Sequence, residues 1–164
     1  MNFEIVELID FSGKKSGVYT VLLADVNTTL FDQFISENKA QQPEALNSIL
    51  SKLILIGHKT GAKEQFFKLN EGNLGDGICA LYDSPDKKLR LYCIRYGNNT
   101  IIVGGGGIKN VRTLQEDPKL KNENYLLRTI SKIITEAIKN QEITWDSSDT
   151  KLIGKLIFED DESI

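Results

Sequence analysis

Three short apolar segments lie so close together in the chain that no helix fits between them, and this spacing constrains the fold more than any other feature. Residues 78–83, 89–96 and 100–103 each have the length and composition of a β-strand. The links between them, 84–88 and 97–99, are far shorter than the roughly dozen residues that a parallel crossover needs. The three segments therefore predict an antiparallel meander.

Helical periodicity occurs on both sides of this meander. Thr29, with Asp32 three residues later, has the pattern of a capping box, which opens a short helix. Pro43 suits the first turn of a second helix, in which apolar residues recur at three- and four-residue spacing. Residues 120–141 have the pattern of one long amphipathic helix. We expect a helical hairpin before the meander and a single helix after it.

The remaining strands are predicted nearer the ends of the chain. Residues 3–9 and 18–24 read as strands joined by a glycine-containing turn, so they predict a β-hairpin. Residues 64–69 predict a short strand or a turn, and residues 151–158 predict a final strand.

The predicted fold class is α+β, with an antiparallel sheet on which an N-terminal helical hairpin and a C-terminal helix pack. A length of 164 residues is that of a single domain, 1–164. The chain begins with the predicted β-hairpin (1–26) and ends with the final strand and an acidic tail (141–164).

Composition narrows the functional classes. No segment approaches the roughly 18 apolar residues of a membrane span, and Met1 leads into polar residues rather than a signal region, so we expect a cytoplasmic protein with no membrane partner. His58 is the only histidine, and Cys79 and Cys93 lack zinc-site spacing. We therefore expect no metal site and no cofactor.

Positive charge is concentrated in one segment of an acidic chain. The formal net charge is −3, yet residues 87–112 carry +6 and no acid, so the rest of the chain sums to −9. A local basic patch can bind phosphate, because screening limits the relevant charges to those within about 10 Å. The alternative is a solvated sheet face that the acidic tail neutralises. The six basic residues are Lys87, Lys88, Arg90, Arg95, Lys109 and Arg112.

Strand alternation gives this segment a defined face. Arg90 and Tyr92 project to the same side of the sheet, together with Ile94 and Tyr96. An arginine supplies a planar fork for phosphate, and a tyrosine can stack on a base or move a proton. The alternative is an amphipathic sheet face with no binding role.

Three further features have mainly structural interpretations. Gly104–Gly107 can expose a row of backbone N–H groups for a phosphate, but a close backbone approach or a bulge is the favoured interpretation. Cys79 and Cys93 lie symmetrically about the predicted hairpin turn, so we expect them to face each other as buried thiols. His58 follows an apolar helix, where a cation favours the helix dipole.

One stretch of sequence resembles a known group of proteins. The run Lys-Leu-Arg-Leu-Tyr-Cys-Ile-Arg-Tyr-Gly (88–97), the run Gly-Gly-Ile-Lys-Asn-Val-Arg (106–112) and the long helix that follows resemble the RelE/HigB/ParE group, across residues 43–140. These are the toxin halves of bacterial type II toxin–antitoxin pairs. The resemblance implies a microbial-RNase-like fold and metal-independent cleavage of mRNA at the ribosome, in which a ribose 2′-hydroxyl attacks the adjacent phosphate.

The resemblance also implies roles for particular residues. Arg90 would stabilise the phosphate, and Lys109 or Arg112 would assist the leaving group. Tyr92 is a further catalytic candidate, because strand alternation places it on the same face as Arg90. Three other basic residues, Lys87, Lys88 and Arg95, are predicted to bind RNA.

The implied partners are mRNA, the ribosome and a cognate antitoxin, often a helix-turn-helix protein. Two alternatives stay open: a non-enzymatic, ParE-like protein that binds gyrase, and a small phosphate- or nucleotide-binding domain that uses Gly104–Gly107.

Overall fold

The computed structural model describes residues 1–110 and 117–160. Arg112 and the acidic residues after Asp160 lie outside these ranges. The first half of the described chain contains β1 (Phe3–Glu7), β2 (Gly17–Leu23), β3 (Thr28–Thr29), α1 (Leu30–Asn38), α2 (Pro43–Leu55) and β4 (Phe67–Lys68). The second half contains β5 (Ile78–Tyr82), β6 (Leu89–Tyr96), β7 (Thr100–Ile108), α3 (Pro118–Lys139), β8 (Ile143–Trp145), β9 (Leu152–Gly154) and β10 (Ile157–Phe158).

One eight-stranded sheet runs through the molecule. Its strand order is β10-β1-β2-β7-β6-β5-β4, with β3 paired to β2 beside this path. Strands β4 to β7 pair antiparallel with their sequence neighbours, which confirms the predicted meander. The central pair is different, because β2 and β7 run parallel from Gly17 opposite Thr100 to Thr20 opposite Val103. The sheet is therefore mostly, not wholly, antiparallel.

The parallel pair joins the N-terminal hairpin to the meander. Everything from α1 to β6 lies between β2 and β7 in the chain, so the connection is long enough for a parallel crossover. The Thr20 hydroxyl donates to the Val103 carbonyl at 2.9 Å and accepts from the Phe31 amide at 3.3 Å. This one buried side chain thereby ties β2 to β7 and to the first turn of α1.

Helices cover both faces of the sheet. Helices α1 and α2 pack on one face, and α3 packs on the other, so alternate residues of each central strand enter different cores. The α3-side core contains Ile5, Tyr19, Val21, Ile78, Tyr92, Ile94, Ile102, Leu127, Ile130 and Ile134. The opposite core contains Val18, Phe31, Phe34, Ile49, Leu53, Leu81, Leu91, Ile101 and Val103.

The fold class of mixed α and β structure is confirmed, and its details differ from the prediction. Strands β1–β3 come first in the chain, so the two adjacent helices do not form its N-terminal element. The predicted strand 151–158 is wrong as a single strand: β9 pairs with β8, whereas β10 pairs with β1. Gly154, with φ of +115°, ends β9 in a conformation that other residues rarely adopt.

Local signals predicted several details correctly. The Thr29 hydroxyl accepts from the Asp32 amide at 3.0 Å, which confirms the cap of α1. The predicted helix 120–141 begins earlier in the structure, because Asp117 caps it by accepting from the Leu120 amide at 3.0 Å. Residues 64–69 form a 3₁₀ turn (Glu64–Phe66) followed by β4.

The cysteines and the histidine occupy structural positions. Cys79 lies directly opposite Cys93 across β5 and β6, as predicted, and both thiols are buried. Burial raises the pKa of Cys79 to about 12, so this thiol stays protonated and unreactive. His58 lies in a π-helical turn after α2 (Ile56–Thr60), where its Nε2 is 3.2 Å from the Asp10 carbonyl oxygen.

No helix in the described ranges has both the length and the apolar character needed to cross a membrane.

Candidate functional site

The side chains of β6 point to the two faces of the sheet that strand alternation predicts. Tyr92 and Ile94 enter the core beneath α3, while Leu91 and Cys93 enter the opposite core. Arg90 lies near the start of β6, opposite Tyr82 on β5 and Gly107 on β7. Its side chain therefore projects from the α3 side of the sheet, at the end of the sheet where β6 begins.

Three cations meet at this end of the sheet, and we call Lys68, Arg90 and Lys109 the cationic cluster. Lys68 ends β4, and Lys109 directly follows β7, where its amide donates to the Lys88 carbonyl at 2.7 Å. Burial lowers the pKa of Lys109, and the positive charges of Lys68 and Arg90 lower it further. The ammonium groups are therefore close enough to repel one another.

One carboxylate accompanies the cationic cluster. Glu71 Oε1 lies 3.8 Å from Lys68 Nζ. The negative charge of Glu71 raises the pKa of Lys109, whereas the positive charges of Lys68 and Arg90 lower it. The Glu71 backbone carbonyl accepts from Asn124 Nδ2 at 2.9 Å, so α3 holds this residue in place. Among the described residues, Lys109 thus feels the positive charges of Lys68 and Arg90 and the negative charge of Glu71, while the charge of Asp117 acts on neighbouring Tyr92.

Arg90 is held by its terminal nitrogen and has a free donor. Its Nη1 donates to the Lys87 carbonyl at 2.7 Å. Its Nε is buried and has no hydrogen-bond partner among the described residues. A buried donor without an acceptor is costly, so this nitrogen destabilises the folded state. The half-buried guanidinium as a whole still offers a planar, charged group to an oxygen anion.

The Tyr82 ring gathers further cations beside the cluster. Lys52 Nζ lies 4.7 Å from the ring centroid, Lys87 Nζ lies 5.1 Å from it, and the Arg90 guanidinium carbon lies 5.5 Å from it. Lys52 reaches this place from α2 and also donates to the Ser84 hydroxyl at 2.9 Å. Burial lowers the pKa of Lys52, which Asp83 partly opposes and Lys87 reinforces.

Tyr92 is buried, with only 3% of its surface exposed. Burial raises the pKa of its phenol, and the charge of Glu71 raises it further, against an opposing effect of Arg90. The phenol therefore stays protonated, which suits a hydrogen-bond donor and excludes a general base at neutral pH.

The other predicted site residues are not in the cluster. Arg95 lies five residues along β6 from Arg90, about 17 Å away, and on the opposite face. Its Nε donates to the Ala62 carbonyl at 2.6 Å, and its Nη1 lies 3.8 Å from Glu64 Oε1, so its contacts are structural. Lys88 is exposed, with its Nζ 3.9 Å from Asp86 Oδ2. Arg112 lies outside the described residues.

The glycine run is part of the sheet. Gly104–Gly107 are buried within β7, and the register shift between β6 and β7 lies at these residues. A Cβ at Gly104 would approach Leu127 Cδ2 to 3.0 Å, and one at Gly105 would overlap the Glu123 carboxylate. The run therefore forms a β-bulge closely covered by α3, which is the interpretation favoured from the sequence.

The described part of the acidic tail lies at the far edge of the sheet. Asp160 pairs with the Met1 amino group, next to the β1–β10 edge, whereas the cationic cluster adjoins β4 at the other edge. Up to Asp160, therefore, the tail does not neutralise the cluster.

Sequence reasoning missed four residues of this region: Lys52, Lys68, Glu71 and Tyr82. Lys68 and Glu71 follow a 3₁₀ turn and lie in a two-residue strand and the loop after it, where periodicity carries no signal. The pairing of Lys68 with Ala80 on β5 is what brings it near Arg90.

Comparison with protein families, with curated proteins and with solved structures gives no match for this chain.

Replacing Lys109 with methionine is expected to raise the melting temperature at neutral pH. The pKa of Lys109 is lower in the folded state than in the unfolded chain, so its charge opposes folding at neutral pH. For the same reason, the Lys109 contribution to stability should rise with pH through the window just below the ordinary lysine pKa. Thermal unfolding of Lys109→Met beside Lys88→Met, an exposed control, measures the effect. A lower melting temperature for Lys109→Met alone would contradict it.

Proposed function

We propose that this chain is a toxin-type, metal-independent endoribonuclease that binds the phosphodiester of mRNA at the cationic cluster. The observation that carries the proposal is the charge of this cluster. Lys68, Arg90 and Lys109 converge beside Glu71, although the formal net charge of the whole chain is −3. Like charges so arranged repel one another, and a phosphate would relieve that repulsion.

The cluster residues have chemical roles in this proposal. Arg90, which is half-buried, would bind the non-bridging phosphate oxygens through the accessible part of its guanidinium, because a guanidinium stabilises the charge that builds in the transition state. Tyr92, kept protonated by burial, would serve as a hydrogen-bond donor and not as a base.

Proton transfer requires a base and an acid on either side of the phosphate. Glu71 would accept the proton of the ribose 2′-hydroxyl, whose oxygen forms a bond to phosphorus. Lys109 would donate a proton to the departing 5′-oxygen as the phosphorus–oxygen bond breaks; its lowered pKa favours this donation. The products are a 2′,3′-cyclic phosphate and a 5′-hydroxyl.

The neighbouring tyrosine extends the site beyond one phosphate. Tyr82, with Lys87 and Lys52 beside its ring, offers cations for an adjacent phosphate and an aromatic surface for a base. In the proposal, the ribosome presents the mRNA here, and a cognate antitoxin blocks the same surface, as the resemblance to the RelE/HigB/ParE group implies.

Product analysis tests the proposal directly. Purified protein incubated with single-stranded RNA in excess chelator is expected to give fragments with 2′,3′-cyclic phosphate and 5′-hydroxyl ends. An RNA with 2′-deoxyribose at the cleaved position should stay intact there, because it lacks the nucleophile. Adding ribosomes tests whether cleavage requires them. RNA that is bound but never cleaved, with or without ribosomes, would instead support a non-enzymatic interaction protein.

A further inference from the structure

A second set of cations lies in a line along the outer surface of α3, and we call it the α3 stripe. Its members are Lys121, Arg128, Lys132 and Lys139. Their spacings of seven, four and seven residues place them within about 20° of one line on a helix of 3.6 residues per turn. At 1.5 Å per residue, the line is about 27 Å long.

The cations of the α3 stripe form no direct ion pair with the described residues. None of its four cations lies within 4 Å of a carboxylate in the described part of the chain, whereas Lys119, on the same helix, pairs with both Glu37 and Glu123. The Arg128 guanidinium instead donates to Asn73 Oδ1 at 2.6 Å and lies 4.8 Å from the centroid of the Tyr125 ring. Lys121 Nζ lies 5.7 Å from the same centroid.

A groove runs beside the α3 stripe. It has a volume of about 430 Å³ between α3 and the loop of residues 73–76, and Arg128, Lys132 and Lys139 line it. Glu136 also lines this groove, so its carboxylate offsets part of the positive charge there. Asp76 lines the groove too, but its carboxylate accepts from the backbone amides of Asn73 and Ile78 at 2.6 and 3.0 Å. That acid is therefore engaged in holding the loop.

The same loop connects the α3 stripe to the cationic cluster. Asn124, one turn before Arg128, binds the backbone of Glu71, which accompanies the cluster. Arg128 and Ser131 then bind Asn73 and Asp76 along the loop. The stripe and the cluster therefore border one continuous edge of the molecule.

We propose that the α3 stripe binds the sugar–phosphate backbone of the RNA strand whose next segment occupies the cationic cluster. This inference rests on the proposed function and extends its substrate from a single phosphodiester to a strand many nucleotides long. A line of cations beside an exposed aromatic ring is the arrangement that binds single-stranded nucleic acid, through phosphate contacts and base stacking. An acidic peptide would be expected to need apolar pockets as well, and Leu74 is the one exposed apolar side chain along this groove in the described chain.

Binding of uncleavable RNA tests the proposal separately from catalysis. The probe is single-stranded 2′-O-methyl RNA, in lengths of about 4 and about 16 nucleotides, titrated at several salt concentrations. The test variant is Lys132→Gln with Lys139→Gln, since both side chains are exposed and distant from the cluster. The matched control is Lys14→Gln with Lys15→Gln, two exposed lysines in the β1–β2 turn.

The expected result is a loss confined to the long RNA. The test variant should bind the longer strand about tenfold more weakly, and its salt slope should fall by about 1.4, since each single-strand phosphate contact contributes about 0.7. The control variant should match the parent chain, and the short RNA should bind all three proteins equally.

Two outcomes would overturn the proposal. The first is equal binding of the long RNA by test and control variants; if RNA is still cleaved, this leaves the proposed function standing. The second is competition by polyglutamate as effective as by RNA of equal charge, which would make the stripe a peptide surface. If the parent protein cleaves no RNA but the test variant still binds the long RNA more weakly, the RNA-binding role of the α3 stripe stands and the proposed nuclease activity is wrong.

Discussion

Arg90→Gln is expected to lower the single-turnover rate of RNA cleavage by about 100-fold or more, a usual loss when one transition-state donor is removed. The substitution removes the guanidinium charge and its planar set of donors while keeping a polar, uncharged side chain. Arg90→Lys should recover only part of the rate, because an ammonium keeps the charge but not the planar fork. Expression of Arg90→Lys should arrest growth less than the parent protein does, and expression of Arg90→Gln should arrest it least.

The control for this prediction is Lys88→Gln. Lys88 is two residues away but exposed beside Asp86, so its loss should leave the rate nearly unchanged. Thermal unfolding of each variant separates a lost site from a lost fold. A folded Arg90→Gln protein that cleaves RNA at the parent rate would remove the cationic cluster as the catalytic site.

Gly106→Ala is expected to destabilise the protein by about 3 kcal/mol or more, among the largest effects of any single substitution in this chain. A Cβ at Gly106 would overlap the backbone carbonyl oxygen of Arg90, and a backbone atom in the middle of a sheet cannot move aside as a flexible side chain can. Urea unfolding measures the change in the free energy of unfolding.

The neighbouring residue provides a matched control. A Cβ at Gly107 would meet Lys119 Cγ at 3.5 Å and Leu120 Cδ2 at 3.6 Å, which are ordinary van der Waals distances. Gly107→Ala should therefore change stability by less than about 1 kcal/mol. Equal effects at the two positions would mean that the bulge between β6 and β7 is not packed as described.

The bulge also matters for the site. It places Tyr92 between the Leu91–Gly106 and Cys93–Val103 pairs, so β7 has one more residue than β6 over this interval. Arg90 and Lys109 come directly after this interval towards the end of the sheet. A Gly106→Ala protein that still folds is thus expected to lose cleavage as well as stability.

Much of the fold could be predicted from local patterns. Short links required that β5, β6 and β7 be antiparallel, and the Thr29–Asp32 spacing marked the start of α1. Alternation along β6 placed Arg90 and Tyr92 on one face. These predictions succeed because turn length, capping and side-chain period depend on residues close in sequence.

The candidate site could be predicted only in part. Arg90 lies in a recognisable strand, Lys109 directly follows β7, and the charge of Arg90 acts on Lys109. Arg95 was predicted to bind RNA because it lies in the basic segment, although alternation along the strand already places it on the face opposite Arg90; in the structure it lies at the other end of β6 and donates to the Ala62 carbonyl. A count of charges along the sequence does not distinguish the position of Arg90 from that of Arg95.

Local pattern thus decided which residues form strands and helices, and towards which face each side chain points, because these properties repeat every two or every 3.6 residues. Long-range packing decided the rest: the parallel pairing of β2 with β7, the place of Lys68 and Glu71 beside Arg90, and the loop that links the cluster to the α3 stripe. Those contacts join segments far apart in the chain. They form only when helices pack on both faces of the one sheet.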